Sequence, residues 1–206
     1  WRRIWIGFVI ASPARRTGRS NPVCEIASLT SFARNDGAGM KRVLVTGASG
    51  FVGSHLVPHL YEKGFEIWAS CHHHKYRFPF SVRWFRSDLT RYQEVLALVR
   101  EARPHYVFHL AGQAVPWKSW REPNSTHQLN VGATISLLDG MVRFAPHARV
   151  VLVSSAQVYG STFFEKGRVS ESDPTSPLSP YAGSKLLLEM AALNFVKSHG
   201  LEIVIA

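Results

Sequence analysis

At 206 residues and 46% hydrophobic content, the chain can bury one good core. Its two cysteines, Cys24 and Cys71, are too few for a disulfide framework and fit a reducing, cytoplasmic compartment. The net charge of +10 divides into +4 over residues 1–39 and +6 beyond. The later basic residues are scattered and no nucleic-acid motif accompanies them, so no nucleic-acid partner is expected. No apolar run approaches the roughly 20 residues of a membrane span, so no membrane association is expected.

Residues 1–39 differ in character from the rest. They are rich in Arg, Ser and Asn, and Arg2-Arg3 followed by Ile4 to Ala11 imitates a short signal segment. The Ser/Arg-rich remainder is equally compatible with a transit segment. The preferred reading is a disordered extension or upstream translation, with Met40-Lys-Arg as the natural start of a domain over 40–206.

From Met40 onward, strand and helix patterns alternate. Strands are predicted near 42–46, 65–70, 82–85, 106–110, 149–154 and 201–206, and helices near 51–63, 91–102, 124–143 and 180–199. That alternation predicts an α/β fold, a doubly wound parallel sheet of Rossmann type with helices on both faces.

The first strand, Lys41-Arg-Val-Leu-Val-Thr46, is aliphatic without polar alternation, as a strand buried on both faces must be. It runs into Gly47-Ala-Ser-Gly50-Phe-Val-Gly53 and then a helix closed by Gly64. Strand, glycine turn, helix is the setting of a dinucleotide fingerprint. Gly47 permits the tight turn, Gly50 the approach of backbone amides to a pyrophosphate, and Gly53 close helix–strand packing. The helix N-terminus adds free N–H groups and a positive dipole end. Pro58 inside this helix predicts a kink beyond the cradle.

The second strand, Phe65-Glu-Ile-Trp-Ala-Ser70, ends in Cys71-His72-His73-His74-Lys75, with Arg77 beyond. No carboxylate stands there to bond a ribose 2′-hydroxyl, and cationic groups do, which favours a 2′-phosphate and hence NADP, with NAD as the alternative. A solvated basic loop is the blander reading. A metal site on the three histidines is disfavoured, because consecutive residues of an extended chain point to opposite faces.

Further along, Arg149-Val-Val-Leu-Val-Ser-Ser155 reads as a buried strand ending in two hydroxyls, where a parallel sheet opens its binding crevice. Ser179-Pro180 forms an N-cap and first helical position, and Tyr181 and Lys185 follow at i and i+4 on one helix face. The ammonium and the helix dipole would favour the phenolate and lower the Tyr181 pKa, making it a general acid or base.

With these elements in one order, residues 40–206 resemble the extended short-chain dehydrogenases/reductases of nucleotide-sugar type. The matching stretches also include Asp88-Leu89-Thr90, His109-Leu-Ala-Gly112, Asn130-Val-Gly-Ala-Thr134 and Ser154-Ser-Ala-Gln-Val-Tyr-Gly160. The resemblance implies that Ser155 polarises the substrate oxygen, that Tyr181 exchanges the proton, and that Lys185 binds the nicotinamide ribose. It also implies that Gly47, Ser49, Gly50, Phe51, Val52 and Gly53 cradle the dinucleotide. His72, Asp88 and Leu89 would line its adenosine end, Leu110, Ala111 and Gly112 its middle, and Asn130 would play a supporting part.

Dehydratases of this family carry acidic residues after the catalytic hydroxyl. Here Ala156 and Gln157 stand there, and neither can act as an acid or base. The resemblance therefore implies reduction of a 4-keto nucleotide sugar, or alternatively C4 epimerisation; a non-catalytic NAD(P)-binding regulator is the reading from another class. It further implies a nucleotide-sugar partner, a homodimer through helices of the dinucleotide domain, and a C-terminal sugar lobe that this sequence does not include.

Overall fold

A computed structural model describes residues 4–6, 39–72 and 75–206. The elements are β1 (Ile4–Ile6), β2 (Arg42–Thr46), α1 (Phe51–Glu62), β3 (Glu66–Cys71), β4 (Arg83–Arg86), α2 (Tyr92–Ala102) and β5 (Tyr106–His109). Then come α3 (Pro116–Arg121), α4 (Pro123–His127), a π-type turn over Gln128–Gly132, α5 (Ala133–Phe144) and β6 (Arg149–Leu152). A 3₁₀ turn (Ala156–Tyr159), α6 (Gly160–Lys166), α7 (Pro180–His199) and β7 (Glu202–Ile205) complete the order.

All strands run parallel in the order β1-β7-β6-β5-β2-β3-β4. Counted from β2, this is the 3-2-1-4-5-6 order of dinucleotide folds, with its reversal between β2 and β5. Ile4–Ile6 pairs with β7 in the register Ile4–Ile203 to Ile6–Ile205. The rest of the expectation for residues 1–39 lies outside the described residues.

The aliphatic strands have no polar face because both sides of the sheet are covered. Along β2, Val43 and Val45 pack with Leu56, Val57 and Leu60 of α1, while Leu44 faces Val99, Leu137 and Leu138 of α2 and α5. Burying one such Leu side chain contributes roughly 1.5–3 kcal/mol, and this two-sided packing holds the strand ends that carry the site.

The expected elements form with three differences. α1 runs without a break from Phe51 to Glu62 through Pro58, so the predicted kink does not divide it. The strand expected over 149–154 ends at Leu152, freeing Val153 to Ser155 for the site. The helix expected over 124–143 is three pieces, α4, the π-type turn and α5, because the Asn130 side chain is drawn toward the neighbouring loop and α7.

Candidate active site

The glycine turn leaves β2 at the sheet's reversal. Gly47 adopts φ +68°, and a Cβ there would lie 2.8 Å from the Ala111 backbone nitrogen. A Cβ on Gly53 would lie 2.6 Å from the Cα of Ala48. Both positions are closed to a side chain: the first by the loop after β5, the second by the strand-end backbone against which α1 packs. Gly50 caps α1 without a side-chain bond, and no acidic residue occupies the first turn. The first-turn amides thus lie at a positive dipole end with no acidic side chain competing for an anion. Ser49, Gly50, Phe51 and Val52 are exposed around them. These residues fit a dinucleotide pyrophosphate.

Past β5, Leu110, Ala111 and Gly112 are half-buried and join the cradle to the catalytic helix. A Cβ on Gly112 would fall 2.9 Å from Asn130 Oδ1 and 3.9 Å from Lys185 Nζ. His72 and Asp88 stand at the β3–β4 end, with His72 Nε2 3.8 Å from Asp88 Oδ2. The Asp88 carboxyl is held below its usual range, first by the Thr90 hydroxyl hydrogen bond. The Leu89 side chain is 8% exposed and packs in the core. His73 and His74 lie outside the described residues.

The catalytic candidates converge on one stripe of α7. Ser179 accepts from the Ala182 N–H at 3.1 Å, and Pro180 fills the first turn, as N-cap chemistry prescribes. One turn apart, the Lys185 Nζ lies 5.9 Å from the centre of the Tyr181 ring and donates to the Val153 carbonyl at 2.8 Å. Another turn along, Glu189 accepts from the Ser154 hydroxyl. Ser155 lies near enough to the Tyr181 phenol to pull its pKa down and accepts from the Gln157 N–H at 3.2 Å. Lys185 and Glu189 therefore grip Val153 and Ser154 in turn, so the loop after β6 is tied to the helix beside Tyr181.

Two electrostatic consequences follow. Burial pushes the Tyr181 phenol above its ordinary pKa, with nearby Ser155 opposing the rise. This reverses the lowering expected from Lys185 and the helix dipole, because the nearly buried phenol loses water while the ammonium is spent on the Val153 carbonyl. Burial also lowers Lys185 to about 8, against the pull of Glu189.

Asn130, given a supporting part by the resemblance, is joined by residues that the reading of the sequence leaves out. Asn130, 2% exposed, accepts from the Gln113 N–H at 2.7 Å and donates through Nδ2 to Ser184 Oγ at 2.9 Å. Its place in a π-type turn, a common device at functional sites, serves this bridge. Ser119 Oγ accepts from the Tyr181 N–H at 3.0 Å. His109, buried beneath, contacts Thr46 Oγ1 through Nδ1 at 2.7 Å and Thr134 Oγ1 through Nε2 at 3.2 Å. Among Glu189, Ser119 and His109, to which the sequence analysis gives no role, Glu189 carries a signal, the further step of the i, i+4 stripe; Ser119 and His109 meet their partners across long separations.

The comparisons with known proteins agree with this geometry. The model of the NAD dependent epimerase/dehydratase family matches residues 43–206. A UDP-glucose 4-epimerase of Streptomyces lividans is 34% identical over 79% of this chain and 50% of its own length. A GDP-6-deoxy-D-mannose reductase of Pseudomonas aeruginosa is 31% identical over 81% and 51%. The structure of Thermus thermophilus UDP-glucose 4-epimerase in complex with NAD superimposes with a TM-score of 0.69 at 31% identity, covering 80% of this chain and 53% of that one. The chain thus spans about half the length of the curated relatives it matches. With its glycine cradle and its Ser155, Tyr181 and Lys185 assembly, the chain belongs to the NAD dependent epimerase/dehydratase family, the extended short-chain dehydrogenases/reductases of nucleotide-sugar type.

Proposed function

We propose that the chain supplies the cofactor-binding and proton-transfer half of an NADP(H)-dependent oxidoreductase that reduces a nucleotide-linked 4-keto sugar. The observation that carries this reading is the α7 stripe, which sets Ser155, Tyr181 and Lys185 on one surface beside the glycine cradle. Bound NADPH would supply the hydride. Ser155 would donate to the sugar carbonyl oxygen, and Tyr181 would pass its phenolic proton to that oxygen as negative charge grows there. A phenol held above its ordinary pKa keeps its proton at neutral pH, which suits a donor better than a base. Lys185, protonated up to about pH 8, would offer its remaining N–H groups to the nicotinamide ribose and steady the phenolate left behind.

The absence of a carboxylate at the end of β3, where Cys71 and His72 stand, favours NADP over NAD. Ala156 and Gln157, exposed after Ser155, offer no acid or base for eliminating water. The relatives named UDP-glucose 4-epimerase support the second reading, C4 epimerisation of a UDP-hexose. The non-catalytic alternative, an NAD(P)-binding regulator, leaves the assembly of Ser155, Tyr181 and Lys185 without a purpose.

The test incubates a full-length protein carrying this chain with NADPH and GDP-4-keto-6-deoxy-mannose, following loss of reduced-nicotinamide absorbance. Turnover that Tyr181→Phe abolishes, with cofactor affinity retained, is the expected result. Conversion of UDP-glucose to its C4 epimer without net cofactor consumption would replace reductase by epimerase. Tight nucleotide binding without turnover of either sugar would favour the regulator.

A further inference from the structure

The ends of β3 and β4 and the start of α2 enclose a polar pocket lined by His72, Arg86, Ser87, Asp88, Arg91 and Glu94. Its two carboxylates are committed. Asp88 Oδ1 accepts from the Thr90 N–H at 3.0 Å and hydroxyl at 2.7 Å, while Oδ2 faces Arg91 Nε at 3.6 Å and His72 Nε2 at 3.8 Å. Glu94 accepts from the Asp88 N–H at 2.7 Å and faces Arg91 Nη1 at 3.5 Å. The charge of Arg91 is therefore balanced from both sides.

Arg86 is different. Its Nε donates to the His72 carbonyl at 3.3 Å, and it makes no ion pair among the described residues. Together with Lys75 it acts on the Cys71 thiol as a positive charge, opposing the rise that burial causes. Both cations thus bear on the end of β3. Beside it, Ser87 is 2% exposed and its Oγ is the one buried side-chain polar atom among the described residues with no hydrogen-bond partner. A buried hydroxyl in that condition is costly and calls for a partner.

A dinucleotide whose pyrophosphate rests on the N-terminus of α1 lays its adenosine ribose across the end of the next strand, β3. Resting on that reading of the cradle, we infer that Arg86 and Ser87 are the residues that select NADP, by receiving its 2′-phosphate. The guanidinium offers a planar fork to a dianion, and Ser87 Oγ donates to a phosphate oxygen. A ribose 2′-hydroxyl would leave the charge of Arg86 unanswered. Discrimination is thereby assigned to the β4 side of the pocket.

The experiment titrates the 206-residue chain, and its Arg86→Gln and Ser87→Ala variants, with NADPH and NADH by fluorescence, with 2′,5′-ADP as competitor. Melting curves establish that each protein is folded. Wild type should prefer NADPH. Arg86→Gln should weaken NADPH about tenfold and blunt competition by 2′,5′-ADP, with NADH within about twofold. Ser87→Ala should weaken NADPH several-fold in the same selective way. Variants that weaken both nucleotides equally, or neither, overturn the assignment while leaving the dinucleotide reading standing. A folded wild-type chain that binds neither nucleotide overturns both.

Discussion

The backbone N–H of Tyr181 donates to Ser119 Oγ at 3.0 Å, across 62 positions of sequence, and its carbonyl accepts from Ser184 Oγ at 2.7 Å. Both polar backbone groups of the proposed proton donor are thus held by side chains. Ser119 is itself fixed by donating to the Pro116 carbonyl at 2.6 Å, and Ser184 by accepting from Asn130. The short helix α3 thus brings Ser119, and the π-type turn brings Asn130, to the first turns of α7.

Ser119→Ala removes the acceptor and leaves a buried N–H orphaned at a fully enclosed position. Such an orphan costs roughly 1–3 kcal/mol. Urea unfolding should show a lower midpoint with an unchanged slope. An unchanged midpoint would remove Ser119 from its anchoring role.

The three glycines of the cradle should separate stability from binding. Gly53→Ala forces a Cβ to 2.6 Å from Ala48 backbone, which cannot yield as a flexible side chain could; a loss of about 1–3 kcal/mol is expected from the overpacking. Gly47→Ala adds left-handed strain to a clash with Ala111 and should cost a similar amount. Gly50 has φ −78°, and the nearest atom to its Cβ is 3.2 Å away, so Gly50→Ala should fold with a penalty under about 1 kcal/mol. That methyl intrudes where a pyrophosphate would approach, so the thermal shift with NADPH should fall while the unliganded melting temperature barely moves. Equal stability losses in all three variants would contradict this division.

What could be read from the sequence was whatever is written locally. The run from Lys41 through Gly53 spells strand, turn and helix in consecutive residues, and Ser179 to Lys185 spells the cap and the shared face of Tyr181 and Lys185 in seven. The parallel sheet covered on both faces was legible because strands alternate with helices along the chain. The π-type turn was hidden because nothing near Gln128–Gly132 demands it; the bond from Asn130 to Ser184, 54 residues away, does. The direction of the Tyr181 shift was misjudged for a related reason. Charges along one helix are visible in the sequence, whereas the burial that outweighs them is set by tertiary packing that leaves Tyr181 only 7% exposed.

Lys185 illustrates a cost of function. Its pKa falls from 10.5 to about 8 because only 8% of the residue remains exposed. Between those values the unfolded chain holds a proton that the folded chain has released, so stability rises with pH from about 8 toward 10. Below about 8 both states are protonated and the burial cost is fully present. Lys185→Met should therefore stabilise the chain at pH 7 by about 1–2 kcal/mol net of the unpaired Val153 carbonyl, and should flatten the alkaline rise. Denaturant titrations at pH 7 and 9.5 measure both effects; a destabilised variant with the slope intact would refute the assignment.

His109 gives the opposite limb of the pH profile. It is enclosed between Thr46 and Thr134, and the second of these donates onward to the Asn130 carbonyl at 2.6 Å. The Thr134 hydroxyl proton is thereby committed, so Nε2–H of the imidazole must donate to its oxygen, while Nδ1 accepts from Thr46. The ring is neutral with both nitrogens satisfied, and a second proton would have nowhere to go. Burial, with Lys185 nearby, accordingly lowers its pKa from 6.5 to about 3. As pH falls below about 6.5 the unfolded chain takes up a proton that the folded chain refuses until about 3, so stability declines through that window. At pH 5 the loss amounts to about 2 kcal/mol. His109→Gln cannot titrate, so although it is expected to be less stable at pH 7, its stability should vary less between pH 6.5 and 4.5 than that of the wild type. Parallel curves for the two proteins across this interval would show that the acid limb originates elsewhere.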